Sequence, residues 1–248
     1  MKRTTRILLA GTLAAAGTAA WRTLQPRPDG EPSVLGPDAV RRLYDRLAPV
    51  YDGAAAVYGL AGGGSYRRRA VEALRLSPGD TVVDLACGTG ANLPYLVEAV
   101  GAGGRVVGVD LSPGMLQKAR QRADEEGWTN VEVVEADVRE YRFPEPVHGV
   151  LSTFGLEMVP EHEAVIGRAL DALAPGGRIA VGGLRRPDGW PEWLIRTGEI
   201  VNRPFGVSRA YEGVQPWRSV EAHADGARYE EHLLGAVYLA TGQAPEPS

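Results

Sequence analysis

An apolar strand that ends in an acid and a glycine turn constrains the fold of this chain more than any other feature. Residues 82–90 read VVDLACGTG, which puts Asp84 four residues before Gly88. Glycines at the carboxyl end of a parallel strand let the backbone approach a nucleotide-like ligand closely. The segment therefore predicts a ligand site at a strand end, although a tight turn alone would use the same glycines.

Apolar runs alternate with helical patterns along the chain, which indicates βαβ units and a parallel sheet covered on both faces. The predicted strands are Thr81–Leu85, Arg105–Val109, Val131–Val134, Gly149–Thr153 and Arg178–Gly182. The predicted helices between them are Leu93–Val100, Pro113–Glu126 and Glu161–Leu173. A closing hairpin is predicted from Arg228–Leu234 and Ala236–Thr241, hinged at Gly235. The fold class is α/β, a Rossmann-like sheet of seven mostly parallel strands with an antiparallel C-terminal hairpin.

The acid at Asp84 distinguishes this turn from a dinucleotide-binding turn. In G-x-G-x-x-G folds the first strand-to-helix turn receives a pyrophosphate, which a carboxylate at the strand end would repel. A cationic ligand fits better, and S-adenosylmethionine (SAM) carries an ammonium and a sulfonium but no phosphate. An NAD-dependent oxidoreductase is the alternative that Asp84 disfavours.

A second acid ends the next predicted strand. Asp110 lies 26 residues after Asp84, where a carboxylate can accept hydrogen bonds from both ribose hydroxyls. Ser112 follows as a predicted N-cap, with Pro113 at the first helical position. Asp110 alone could be a turn acid, but in register with Asp84 it predicts ribose binding.

Two helical patterns precede the sheet. Asp38 is the predicted cap of a helix with an apolar stripe at Val40, Leu43, Tyr44 and Leu47. A second helix is predicted from Ser65 through Leu74. Residues 25–37, QPRPDGEPSVLGP, hold four prolines and two glycines and predict a linker. We therefore expect the folded domain to span residues 38–248.

The N-terminal segment, residues 1–24, holds an uncharged run at Ile7–Trp21 that follows three basic residues. At 15 residues this run is shorter than the ~20 a membrane-spanning helix needs, and it matches a signal-peptide core in length. Secretion would separate the chain from SAM, which is made in the cytosol, so we expect a membrane anchor on a cytoplasmic domain. The alternatives are a short helix lying on the membrane or packed on its own domain, and a mispredicted start codon.

Composition excludes several function classes. With one cysteine, Cys87, the chain can form neither an intramolecular disulfide nor a cysteine-rich zinc site, and its four histidines lack metal-ligand spacing. We predict no metal. Residues 1–30 carry five basic side chains and one acid, which leaves 22 basic against 30 acidic residues elsewhere, a net charge of −8. Because nucleic-acid affinity comes from Lys and Arg on phosphates, we expect no nucleic-acid partner.

Several motifs resemble those of a known family. VVDLACGTG at 82–90, VVGVDLSPGML at 106–116 and VVEADV at 133–138 are similar to the successive cofactor motifs of class I SAM-dependent methyltransferases. YDRLAPVYD at 44–52 and STFGLEMVPE at 152–161 resemble the ubiquinone/menaquinone C-methyltransferases and bacterial phospholipid N-methyltransferases within it. The resemblance covers well over half of the chain.

The resemblance implies SAM as methyl donor, S-adenosylhomocysteine as product and a set of contact residues. The methionine portion would meet Asp84, Ala86, Gly88 and Gly90, and the ribose would meet Asp110. The adenine would meet Leu111, Met115, the Asp137 carboxylate and the Val138 N–H. Further predicted cofactor contacts are Tyr44, Tyr51, Cys87, Asn92, Thr153 and Phe154. Cys87 is interpreted as packing in the turn and not as a nucleophile.

In such proteins the first helical segment forms a lid over SAM, which makes Tyr44 and Tyr51 lid candidates; lid core is the equal alternative. Three positions depart from the family pattern: Ala86 replaces glycine, His148 replaces aspartate, and Glu157 replaces arginine or histidine. A carboxylate at Glu157 would suit an amine or take a proton from a hydroxyl. We therefore predict that Glu157 and Tyr51 position the acceptor, with a solvated helix-opening acid as the alternative for Glu157.

The acceptor site is predicted from the lid and an irregular insert at about residues 184–227, which is rich in aromatic residues: Trp190, Trp193, Phe205, Tyr211 and Trp217. Such an insert favours a small lipophilic acceptor, a phospholipid amine or a quinol, and a membrane surface as partner. Aromatic residues in an insert also serve as core. Two other functions stay open: a catalytically silent SAM-binding regulator, and a methyltransferase of a soluble small metabolite.

Overall fold

The computed structural model describes residues 34–58, 64–207 and 209–245. The predicted anchor at Ile7–Trp21 therefore lies outside the described residues, as does most of the predicted linker. Within the described ranges, no helix is both long and apolar enough to cross a membrane.

Helices and strands alternate along the described chain. It begins with α1 (Pro37–Tyr58), α2 (Gly64–Ala73), β1 (Thr81–Leu85), α3 (Leu93–Val100) and β2 (Arg105–Asp110). Next come α4 (Pro113–Glu125), β3 (Val131–Glu135), β4 (Val147–Thr153) and α5 (His162–Asp171). It ends with β5 (Leu173–Leu184), α6 (Glu192–Asn202), α7 (Pro216–His223), β6 (Asp225–His232) and β7 (Val237–Gln243).

The strands form one seven-stranded sheet in the order β3-β2-β1-β4-β5-β7-β6. The first five strands are parallel, and β7 runs antiparallel to both β5 and β6. The predicted fold class is confirmed, including the C-terminal hairpin. Because β1 leads to β2 on one side and has β4 on the other, the strand order reverses at β1, where open α/β sheets bind their ligands.

Alternating valines on β1 explain why both sheet faces are covered. Val82 and Val83 are both fully buried, and they point to opposite faces because successive side chains of a strand alternate. Val82 packs with α2 and α3, whereas Val83 packs with α5 and α7. Burial on both faces is what makes these parallel strands near-continuous apolar runs.

Three predicted features of the fold are corrected. Asp38 does not cap α1, because the helix begins at Pro37 and the Gly36 carbonyl accepts from the N–H groups of Ala39 and Val40. The fifth strand extends over Leu173–Leu184, well beyond its apolar centre. The insert is not irregular throughout, since it contains α6 and α7. The sequence does not indicate these helices because neither has a long apolar stripe. No residue of α6 is buried, and α7 is only eight residues long.

Two aspartates tether α1, the predicted lid, to the sheet. Asp45 Oδ1 accepts hydrogen bonds from Ser112 Oγ at 2.6 Å and from the Gly114 N–H at 3.0 Å. These donors lie at the N-terminus of α4, where a helix favours a negative charge. About two turns further along the helix, Asp52 accepts from Thr89 Oγ1 at 2.6 Å. The lid is therefore attached to the two loops that follow β1 and β2.

Substituting Asp45 with alanine should loosen the lid. Hydrogen bonds to a charged acceptor each contribute about 1.5–3 kcal/mol, so amide hydrogen exchange in α1 should accelerate about tenfold or more. Exchange in the central strands should change little. The control is Asp124→Ala, an exposed carboxylate near the C-terminal end of α4. Equal protection of α1 in both variants would show that Asp45 does not hold the lid.

Candidate active site

A cavity of about 280 Å³, called the first cavity, opens at the carboxyl ends of β1, β2 and β4. This volume is near the lower end of small-molecule sites, roughly 300–1,000 Å³. Most of the predicted cofactor contacts line it: Tyr44, Tyr51, Ala86, Cys87, Gly88, Asp110, Leu111, Met115, Asp137, Val138, Thr153 and Phe154. Asp84, Gly90 and Asn92 are not on its surface. The structure therefore brings together twelve of the fifteen predicted contacts and puts three behind the wall.

Asp84 is fully buried at the end of β1, and its carboxylate is held by another side chain. Asn92 Nδ2 donates to both Asp84 oxygens at 3.0 Å and also lies 3.0 Å from Thr153 Oγ1. Arg67 Nη1 in turn donates to Asn92 Oδ1 at 2.9 Å. Asp84 therefore does not contact the cavity directly. It is connected to the cavity wall by the hydrogen bonds from Asn92 and from Arg67.

Burial raises the pKa of Asp84 to about 7, although the hydrogen bonds from Asn92 and the charge of Arg67 oppose the shift. The cause is desolvation, which penalises the ionised carboxylate. Around neutral pH this carboxyl is poised between its two protonation states. A cationic ligand portion nearby would favour the ionised form.

The glycine turn has a left-handed backbone that glycine adopts without strain. Gly88 and Gly90 have φ values of 57° and 76°, and a Cβ at Gly90 would lie 2.5 Å from Leu93 Cδ1. Ala86 also has a positive φ, 54°, which a residue with a Cβ adopts at a cost of roughly 1–2 kcal/mol. Its methyl group fills the space in front of Gly155, where a second Cβ would lie 2.4 Å away.

Asp110 has the geometry expected of a ribose-binding acid. Its Oδ2 accepts from the Gly88 N–H at 2.8 Å and its Oδ1 from the Ser112 N–H at 2.9 Å, which fixes the carboxylate at the cavity wall. Each oxygen keeps a further lone pair for a ligand. Leu111 and the buried Met115 supply apolar surface beside it, as a purine ring requires.

Asp137 is engaged by a neighbouring arginine. The Arg139 guanidinium donates to both Asp137 oxygens, with Nη2 to Oδ2 at 2.7 Å and Nε to Oδ1 at 3.0 Å. These bonds lower the pKa of Asp137, which therefore stays ionised. An amine could still use a remaining lone pair, and Val138 lines the same end of the cavity.

Arg67 is the functional candidate that the sequence analysis missed. It lines the first cavity, its guanidinium stacks over Phe154 at 5.3 Å, and its Nη1 also donates to Thr153 Oγ1. A guanidinium at this place suits the carboxylate of an amino acid. The available signal is weak, because Arg67 is one of three consecutive arginines on α2 and only the structure distinguishes the one that faces inward.

The two lid tyrosines, Tyr44 and Tyr51, differ in which cavities they line. Tyr44 lines both the first cavity and a second cavity of about 220 Å³ beneath the insert, whereas Tyr51 lines the first alone. Tyr44 Oη donates to the Phe205 carbonyl at 3.2 Å, and the Tyr51 ring meets Phe205 edge-on at 5.9 Å. Burial raises the pKa of both hydroxyls, so both stay protonated.

Glu157 lines the second cavity and is not the solvated acid of the alternative interpretation. It lies on a short 3-10 turn, Leu156–Met158, that follows β4. Its Oε1 accepts from the Leu184 N–H at 2.7 Å, and burial raises its pKa to about 7. Phe154 and Met158, on either side of it in sequence, line both cavities.

The remaining departures have structural explanations. His148 Nδ1 accepts from the Thr81 N–H at 3.0 Å, with Nε2 3.8 Å from Asp80, so the imidazole joins β4 to the start of β1.

Burial raises the pKa of the Cys87 thiol, which agrees with packing and not with a nucleophile. In the part of the chain that the structure describes, no cluster of His, Cys, Asp or Glu could hold a metal ion.

Comparison with known proteins identifies the family. A family model described as a methyltransferase domain matches residues 82–177. A 2-phytyl-1,4-naphtoquinone methyltransferase of Synechococcus elongatus is 34% identical over 157 residues, which cover 62% of this chain and 67% of the relative. This chain belongs to the SAM-dependent methyltransferases.

One further relative and one solved structure are similar to this chain. A demethylmenaquinone methyltransferase of Listeria welshimeri is 28% identical to this methyltransferase over 172 residues, 68% of this chain and 73% of the relative. The solved geranyl diphosphate C-methyltransferase of Streptomyces coelicolor, in complex with S-adenosylhomocysteine, has a TM-score of 0.58 at 16% identity. It covers 73% of this chain and 77% of that chain, a likeness that shows the fold.

Asp84→Asn should change how the stability of this methyltransferase depends on pH. The folded-state pKa of about 7 lies above the ordinary 3.8, so the wild type loses stability as pH rises through this range. Removing the ionisable group removes that loss. In urea unfolding without SAM, the free energy of unfolding of the variant should rise relative to that of wild type between pH 4 and pH 8. The change should be on the order of 4 kcal/mol at most.

The control for this measurement is Asp171→Asn, an exposed carboxylate at the end of α5. Its unfolding free energy should follow wild type at every pH. If the free energies of unfolding of wild type and Asp84→Asn ran parallel against pH, ionisation of Asp84 would not destabilise the folded protein.

Proposed function

We propose that this methyltransferase transfers the methyl group of SAM to a small lipophilic acceptor of the quinol class. The observation that carries the proposal is that relatives matching about two thirds of the chain or more are named quinone methyltransferases. The aromatic lining of the second cavity, which includes Trp190, Tyr211 and Trp217, supports an apolar acceptor. Residues 38–248 are the proposed catalytic domain, with residues 184–227 as its acceptor-site insert.

The charged and apolar groups along the first cavity support SAM as its ligand. Asp110 would accept from the ribose hydroxyls, Leu111 and Met115 would flank the adenine, and Arg67 would meet the methionine carboxylate. Asp84 would favour the ammonium and sulfonium through Asn92. This extends the sequence interpretation, because the end of the cavity at β1 has a guanidinium on its surface for the anionic group and a buried acid behind its wall for the cationic ones.

The reaction asks for positioning more than for activation by the protein. SAM supplies an already activated methyl group, so the protein has to hold the acceptor atom in line with it and exclude water. Phe154, Met158 and Tyr44 lie between the two cavities and would form the contact zone. The tethers at Asp45 and Asp52 would keep the lid closed over the site.

The N-terminal run Ile7–Trp21 is proposed to anchor the enzyme at the membrane where lipophilic quinols reside. Its support is the length and the flanking basic residues of the run. Comparing membrane partition of the full chain with that of a variant lacking residues 1–24 tests the anchor separately from catalysis.

Arg67→Gln should weaken SAM binding. Losing a charge-assisted hydrogen bond of about 1.5–3 kcal/mol corresponds to a roughly 10- to 150-fold rise in Kd, measured by calorimetry. Methylthioadenosine, which lacks the amino acid portion, should bind wild type and variant alike. Arg68→Gln is the matched control, because Arg68 follows Arg67 on α2, is exposed and pairs with Glu98 of α3. Equal SAM affinity in Arg67→Gln would remove Arg67 from the site.

The acceptor class is tested with purified full-length protein and SAM. We expect prenylated 1,4-naphthoquinols, kept reduced, to gain one methyl group by mass spectrometry, and phosphatidylethanolamine and soluble amines to gain none. Methylation of phosphatidylethanolamine alone would replace the quinol class by the phospholipid alternative. SAM binding without transfer to any of these, together with unchanged quinones and lipids in cells lacking the protein, would favour a regulatory SAM-binding protein.

A further inference from the structure

Glu157 lies where the two cavities meet. The 3-10 turn that carries it follows directly from the end of β4, and its neighbours Phe154 and Met158 line both cavities. Glu157 itself lines only the second cavity. A group at this position faces whatever molecule occupies the second cavity, on the side next to the first.

The carboxyl of Glu157 is held at one oxygen and free at the other. Oε1 accepts from the Leu184 N–H at 2.7 Å, whereas Oε2 is buried without a hydrogen-bond partner among the described residues. Buried polar atoms are almost always paired, so an unpaired carboxylate oxygen is a site for a missing donor. The chain also leaves room for this group, since a Cβ at Gly183 would lie 1.2 Å from Oε1.

The groups that face Glu157 do not neutralise it. Tyr44 and Tyr51 of α1, Tyr66 of α2 and Tyr238 of β7 are near enough for their ionisation to be affected by its charge. Burial raises the pKa of all four hydroxyls, so they are neutral. No salt bridge joins Glu157 to a described arginine or lysine.

Other carboxylates on the cavity walls are already occupied. In the first cavity, Asp110 accepts two backbone N–H groups, and Arg139 pairs with both Asp137 and Glu161. In the second cavity, Glu199 pairs with Arg209 and Glu212 pairs with Arg186. Of the described acids that line either cavity, Glu157 alone combines the absence of an arginine partner with a buried carboxyl oxygen that accepts no hydrogen bond.

We propose that the second cavity binds a neutral acceptor of the phenol or hydroquinone class and that Glu157 Oε2 takes the proton of its hydroxyl during methyl transfer. This inference rests on the proposed function and adds the binding site and the proton acceptor. An amine that arrives as a cation would instead form an ion pair with Glu157 and would have no lone pair for the methyl group.

The proton and electron balance is simple. The O–H bond of the acceptor breaks, its proton goes to Glu157 Oε2, and its electron pair drives a ring carbon or the oxygen to form the new bond to the methyl carbon. The sulfur–carbon bond breaks and its electron pair stays on sulfur. A carboxylate and a sulfonium thus become a carboxylic acid and a neutral thioether; after attack through carbon, the ring C–H proton is lost as the oxygen is reprotonated.

The decisive variant is Glu157→Gln, with Glu163→Gln as control because Glu163 is an exposed acid of α5. With a prenylated 1,4-naphthoquinol, Glu157→Gln should lower kcat about 100-fold or more with a smaller effect on KM. Wild-type kcat/KM should rise with pH through about 7, where Glu157 ionises, and the variant should lack this rise. SAM affinity should be the same in wild type and both variants.

A binding experiment tests the site even if no quinol is methylated. 1-Naphthol should quench the fluorescence of the tryptophans in the insert, and its affinity for wild type should increase about tenfold between pH 6 and pH 8. Glu157→Gln should bind it equally at both pH values. 1-Methoxynaphthalene, which has no O–H to donate, should show no such pH dependence with either protein.

The outcomes separate the two proposals. If 1-naphthol binding depends on Glu157 and pH but naphthoquinols are not methylated, the site assignment stands and the quinol class fails. If Glu157→Gln keeps the wild-type kcat and pH profile, Glu157 is not the proton acceptor. If it abolishes SAM binding, or if 1-naphthol binds both proteins alike at both pH values, the assignment of the second cavity is overturned.

Discussion

The buried carboxylate of Asp84 is the constraint on which the site depends. A carboxylate inside a parallel sheet must be hydrogen-bonded, because desolvation of an unpaired charge is expensive. Asn92 meets this need from the start of α3, and it is itself held by Thr153 at the end of β4 and by Arg67 on α2. One charge therefore fixes four elements relative to each other. The glycine turn is what brings Asn92 back over the strand end.

Two buried acids with similar pKa values have opposite surroundings. Both oxygens of Asp84 receive hydrogen bonds, so the carboxyl is held in one orientation and acts on the first cavity at a distance when it is ionised. Glu157 has one oxygen bound to the backbone and one without a partner. The first arrangement favours a fixed electrostatic field, whereas the second favours exchange of a proton with a bound molecule.

The sequence predicts the sheet well, because the buried central strands give short apolar runs that alternate regularly with helical patterns. It also predicts most of the wall of the first cavity, since strand ends and the glycine turn are local features. The sequence does not predict how deeply a residue lies: Asp84 and Asn92 lie behind the wall of the first cavity and not on its surface. Arg67 and the burial of Glu157 depend on contacts across the fold, with Thr153 and with Gly183 on β5, that no local pattern records.

The paired positions Ala86 and Gly155 carry a consequence for how this chain can vary. A single methyl group occupies the space between the two backbones, and a second would lie 2.4 Å from it. The two sites therefore share one side chain's volume, and the effect of a change at one depends on the other. A side chain at position 155 becomes sterically possible once position 86 is glycine. The two positions are therefore epistatic. Moving the side chain from position 86 to position 155 requires an intermediate sequence with glycine at both.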